Sequence, residues 1–182
     1  RIGQEEEKMK FKKLWTDLHS NIHHDQMEQL EKWCDHARQV MDFWPIAYYP
    51  YTMRKDETGL GVEDRYPLDV IEKDWEALRE FTEKVNAAGF PMFMGYEWQG
   101  AGQDGDHNVF CKDNRQKMEY PLRYADLVKA YAGKDVIGIP HHLAYQLENR
   151  GRTGRRITKP SRRLWKSILP TAAVKTTTAR LK

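Results

Sequence analysis

The chain has 182 residues, is 40% hydrophobic, 31% charged and 12% aromatic, and is long enough for one domain with a real core. No run of 18 apolar residues occurs, so no membrane-spanning helix and no membrane contact are expected, and the polar stretch 1–13 lacks the apolar segment of a signal peptide. The net charge of +3 hides a split: residues 1–149 hold all 27 acidic residues against 19 basic ones, a net of −8, and residues 150–182 hold 11 basic residues and no acid.

Residues 1–10 read as a charged leader. Glu5-Glu6-Glu7-Lys8-Met9 can be encoded by a purine-rich string ahead of a start codon, which makes Met9 a candidate first residue. Residues 11–19 are expected to form a first strand, with Leu14, Trp15 and Leu18 as its apolar members. A helix is expected over 26–41, where Leu30, Trp33, Cys34, Ala37 and Met41 recur at helical spacing. Residues 43–49 form a short apolar and aromatic run, a buried strand, and 50–67 read as a polar loop. A second amphipathic helix covers 68–88 through Val70, Ile71, Trp75, Leu78, Phe81 and Val85, and Gly89 stops it. Further strands are expected over 90–98, 107–111 and 136–140, with a helix over 121–132 between the last two. Strands alternating with helices predict a parallel α/β arrangement. The aromatic residues Phe43, Trp44, Tyr48, Tyr49 and Tyr51 read first as core and second as a pocket for a sugar-like or aromatic group.

The polar residues fall at the ends of these strands. Asp17 and His19 close the first, Glu97 closes the third, His107 opens the fourth, and His141 and His142 follow the fifth. In α/β barrels the reactive groups collect at the carboxyl ends of the strands. His and carboxylate side chains in this mix suit Zn, Mn or Fe, and a bound divalent ion lowers the pKa of water. Cys34 and Cys111 give neither a disulfide framework nor a CxxC zinc pattern, so a cytoplasmic location is expected.

Asp17-Leu18-His19-Ser20 resembles the opening "DLHxH" motif of the PHP (polymerase and histidinol phosphatase) family. Gly95-Tyr96-Glu97-Trp98 is similar to that family's third motif, with its metal-binding Glu. Asp106-His107-Asn108-Val109-Phe110 resembles the segment around the histidine that follows it, and Ile139-Pro140-His141-His142 resembles the later Pro-His motif. The resemblance is to a PHP-like hydrolase branch and covers about residues 11–149, the front part of such a domain. It implies a partial distorted β/α (TIM-like) barrel, a di- or trinuclear metal centre, and hydrolysis of a phosphoester or related bond by a metal-bound hydroxide. On this reading His19, His24, Glu97, His107, His141 and His142 are the metal ligands, Asp17, Glu97 and His142 are catalytic, and a small molecule or phosphoester is the substrate. The sequence departs from the family at Asn21, where the motif has its second histidine, and at Ala47-Tyr48-Tyr49-Pro50, where a Thr-Asp-His is expected. His23, His24 and Asp25 stand close by as substitutes for the first of these losses, or as a polar helix start capped by Asp25.

The basic tail, 150–182, has two readings. As a natural arm it makes the chain a non-catalytic module binding nucleic acid or another polyanion. As a product of a shifted reading frame it hides a longer hydrolase, leaving the present chain truncated and weakly active or inactive. An acid-free run of this length arises by chance roughly once in two hundred tries, and Trp165-Lys166 forces a glutamate in the shifted frame, inside an apolar strand. The second reading predicts that the nucleotide sequence beyond codon 150, read in that frame, stays open and encodes an Asp-x-His motif; a frame that closes at once favours the basic arm.

Overall fold

A computed structural model describes residues 13–55, 57–59, 61–100 and 104–140. The leader before residue 13, His141, His142 and the basic tail lie outside the described residues. In chain order the elements are β1 (Ser20–His23), a 3-10 turn (His24–Gln29), α1 (Leu30–Val40), β2 (Trp44–Tyr49), β3 (Tyr51–Lys55), β4 (Gly61–Arg65), α2 (Leu68–Ala87), β5 (Met92–Trp98), β6 (His107–Cys111), α3 (Tyr124–Ala130) and β7 (Val136–Pro140). Five strands form one mixed sheet in the order β1-β2-β5-β6-β7, and β3 and β4 form a separate two-stranded ribbon. No closed barrel forms among the described residues.

The strands with continuous apolar character stand where periodicity puts them. β2 is buried at every residue and lies inside the sheet, parallel to β1 on one side and β5 on the other. The helices supply the cover. Ile71, Trp75, Leu78 and Val85 of α2 are buried, and the Trp75 ring lies 6.5 Å from that of Tyr48 and 6.0 Å, edge-on, from that of Tyr96. Trp44, Tyr48 and Tyr49 are buried, as the core reading of the aromatic run requires.

Three expectations are corrected. The first strand is not 11–19 but Ser20–His23. Residues 15 and 16 run beside the entrance to β2 instead: Trp15 N donates to Asp42 Oδ2 at 2.8 Å, Asp42 N to Trp15 O at 2.9 Å, and Thr16 Oγ1 to Phe43 O at 2.6 Å. Leu14, Trp15 and Leu18 are exposed, so they mark no buried face. The stretch read as a polar loop carries the ribbon β3–β4, whose polar strands stand apart from the main sheet and so need no apolar alternation. Finally, the sheet is not wholly parallel. β6 runs antiparallel to β5 and to β7. The connection 99–106 is shorter than the dozen or more residues a parallel crossover needs, so the chain returns beside β5 in the opposite direction.

β5 is the centre of the sheet, and Gly95 lets its neighbours close in. A Cβ at this position would lie 2.3 Å from Phe110 Cδ1, 2.6 Å from Val109 O and 2.7 Å from Ile46 O. Two of these atoms are backbone of the flanking strands and cannot step aside. Gly95→Ala is therefore expected to lower stability by about 1–3 kcal/mol in urea unfolding, the usual cost of overpacking a tight core.

Candidate functional site

Side chains alternate across a strand, and directly opposed residues of an antiparallel pair share a face. The register pairs Glu97 with Asn108 and Trp98 with His107. Glu97 and Asn108 therefore stand on one face of the sheet, and Trp98 and His107 on the other, which α2 covers beneath Tyr96. This alternation separates two residues that sequence reading had put in one metal centre.

Glu97 is 1% exposed at the carboxyl end of β5. Its Oε2 lies 3.3 Å from His19 Nε2, a contact that calls for the imidazole proton on that nitrogen. The same oxygen accepts a hydrogen bond from Asn21 Nδ2 at 3.1 Å. His19 precedes β1 and is exposed, and Asn21 lies within β1. Asp17, also exposed, shapes the turn between them: its Oδ1 accepts from His19 N at 2.9 Å and its Oδ2 from Ser20 Oγ at 3.2 Å. Both oxygens of Asp17 are thus used locally, which suits a residue that presents His19.

The β5–β6 turn brings a second carboxylate. Asp106 is 3% exposed, and its Oδ1 accepts from Gly100 N at 3.3 Å. Burial, reinforced by the negative charge of Glu97, pushes its pKa up to about 6 against the Gly100 hydrogen bond. Asn108 is 4% exposed and donates from Nδ2 to Leu18 O at 3.0 Å, which ties β6 to the segment carrying His19. His107 is fully buried on the other face. Its ring stacks on Tyr124 at 4.3 Å between centroids, meets Trp98 at 5.7 Å, and pairs through Nδ1 with Gly105 O at 3.0 Å.

His24 belongs to neither group. It opens the 3-10 turn after β1, and its Nδ1 lies 2.8 Å from Oδ2 of Asp74, a buried residue of α2. The same oxygen accepts from the buried Tyr48 hydroxyl at 2.7 Å. Burial and the Asp74 hydrogen bond raise the Tyr48 pKa far above that of a free phenol, so the phenol stays a donor at any physiological pH. A carboxylate on the apolar side of α2 is costly alone, and these two bonds offset the cost while anchoring the turn to the helix.

Of the residues expected to act together, the structure thus brings His19 to Glu97, sends His107 to the opposite face and His24 to α2. Among the described residues no three His, Cys, Asp or Glu side chains gather as a metal cage. Sequence reading missed Asp106 and Asn108 and counted Asn21 only as a lost histidine. The signal for the first two was available, since residues 106 and 108 flank His107 at the strand period and must face away from it. A cavity of about 400 Å³ between β1 and α1 is lined by residues such as Asn21, Trp33, His36 and Trp44. No known protein family, curated protein or solved structure matches the chain.

The raised pKa of Asp106 has a consequence for folding. Between the ordinary value of 3.8 and about 6 the folded chain keeps a proton that the unfolded chain has lost. Raising the pH through that window therefore weakens folding, and the contribution is fully present only below it. In chelator-treated protein, Asp106→Asn is expected to gain stability relative to wild type as pH rises from 4 to 7, read from thermal unfolding at each pH.

Proposed function

We propose that the protein is a metal-dependent hydrolase of phosphoester or related bonds, of the PHP type. The observation that supports this reading is the buried Glu97 carboxylate at the carboxyl end of β5, met by His19 and Asn21, with a second buried carboxylate, Asp106, in the β5–β6 turn. The buried oxygens left without a hydrogen-bond partner beside them, on Asn21, Asp106 and Asn108, are the donors that fit a divalent ion.

Within this reading each residue has a part. Glu97 would hold the ion, and Asp106 would share its charge. Asn21 orients the Glu97 carboxylate, and His19, on the exposed side with its Nε2 against Oε2, would meet the substrate. Asp17 fixes the backbone turn that presents His19. A bound divalent ion supplies a polarising charge that lowers the pKa of water and neutralises charge on a phosphoryl oxygen.

Loading the full chain with Zn or Mn, desalting and measuring metal content tests this. Glu97→Ala is expected to retain much less metal than wild type, and any Mn-stimulated hydrolysis of p-nitrophenyl phosphate should fall by about 100-fold. Equal metal content in the two proteins would sink the assignment.

A further inference from the structure

The described arginines divide by what holds them. Arg54, Arg79, Arg115 and Arg123 are paired with carboxylates. Arg38 and Arg65 are exposed and lie over aromatic rings instead, 5.3 Å from the centroid of Phe90 and 4.2 Å from that of Tyr120. Among the described residues no ion pair or hydrogen bond engages the guanidinium of either. The two sit at opposite ends of the sheet. Phe90 precedes β5, at its amino end. Tyr120 reaches the carboxyl end, where its hydroxyl donates to the backbone oxygen of Glu97 at 3.5 Å. In open α/β sheets ligands gather in the crevice outside the carboxyl ends of the strands, and of the two Arg65 is the one placed there.

The ribbon fixes that placement. Glu63 and Arg65 stand two residues apart on β4, and so on one face of it. Glu63 docks this face on the sheet. Its Oε1 accepts from the Tyr49 hydroxyl at 2.6 Å, at the end of β2, and its Oε2 accepts from Gln99 Nε2 at 2.9 Å, just past β5. On the other side of Arg65, Tyr66 N donates to Pro50 O at 3.0 Å. Tyr51 is the cross-strand partner of Arg65 and shares its face. Burial pushes the Tyr51 hydroxyl up to about 12, with the Arg65 charge acting against the shift, so at neutral pH it remains a donor.

The ring contact decides what the guanidinium can still do. An aromatic ring takes up the face of this planar group, whereas its N–H donors lie in the plane and point outward. An arginine held so is preorganised, and its fork offers two parallel donors to an oxyanion. We infer that Arg65 binds the phosphoryl group of the substrate at the carboxyl end of β5, with Tyr120 beneath its guanidinium and Tyr51 as a further donor. The inference rests on the hydrolase reading above and adds the residue that selects an oxyanion-bearing substrate.

The test is calorimetric titration of phenylphosphonate, a phosphoester analogue with no ester bond to break, into the full chain with and without Mn(II). Wild type should bind it. Arg65→Ala should weaken binding by about tenfold or more, as the loss of a charge-assisted hydrogen bond does. Arg65→Lys, which keeps the charge but not the planar fork, should fall between the two. Tyr120→Phe keeps the ring and should bind as wild type does, whereas Tyr120→Leu should bind more weakly. Arg38→Ala, the matched arginine at the amino end, should leave binding unchanged. Circular dichroism confirms that each variant is folded, and Arg65→Lys keeps the test decisive if Tyr120→Leu is not. No uptake by folded wild type in either condition, or uptake indifferent to Arg65 because the basic residues of 150–182 supply it, overturns the inference. Benzoate bound as tightly as phenylphosphonate overturns the phosphoryl assignment. Binding that follows the expected pattern without metal-stimulated hydrolysis leaves Arg65 in its role and removes the hydrolase reading. Hydrolysis lost in Glu97→Ala, with phenylphosphonate binding indifferent to Arg65, does the reverse.

Discussion

A carboxylate that is 1% exposed must be met by other polar groups or it opposes folding, and Glu97 is met from 78 and 76 residues away in the chain. His19 and Asn21 reach it across the parallel strands β1, β2 and β5. The contact therefore requires that β1 be docked at the sheet edge, that β2 lie between, and that the turn at Asp17 be in place. The hydrogen bond from Asn108 to Leu18 O closes the same loop from the far side of β5. One buried charge thus gathers the edge strand, the central strand and its antiparallel neighbour on one face.

The other face is organised differently. There Trp75 and Leu78 of α2 pack beneath Tyr48 and Tyr96, and the buried carboxylate of Asp74 is taken up by Tyr48 and His24. Its bonds join the turn after β1 to the helix and leave the apolar layer intact. Tyr96 and Tyr131 share a hydrogen bond of 3.0 Å, and burial holds both phenols protonated. On this face Asp74, Tyr48 and His24 are joined by hydrogen bonds and Thr82 Oγ1 of α2 is left without one, whereas three oxygens, on Asn21, Asp106 and Asn108, are unpaired around Glu97.

Gly95 shows why the two faces can coexist on so narrow a sheet. With no side chain on the Glu97 face, it lets the Phe110 ring and the backbones of β2 and β6 close over β5.

Much of the framework was legible in the amino-acid order. The apolar runs at 43–49, 90–98 and 136–140 and the long period of α2 specified buried strands and a covering helix, because burial imposes repeats of two and near four. Glu97 stood out as a carboxylate closing an apolar strand. Strand β1 was not legible: of Ser20, Asn21, Ile22 and His23 only Ile22 is apolar, and the apolar trio before it lies exposed. Nor was the antiparallel return of β6 inferred, although the short connection 99–106 demanded it. That return, and the register it produced, decided which residues meet Glu97. Period two determines that Asn108 and His107 face opposite ways, but only pairing with β5 determines which of them shares the face of Glu97. A motif read in one dimension names the strand; its hydrogen-bonded register against a neighbour chooses the side chain.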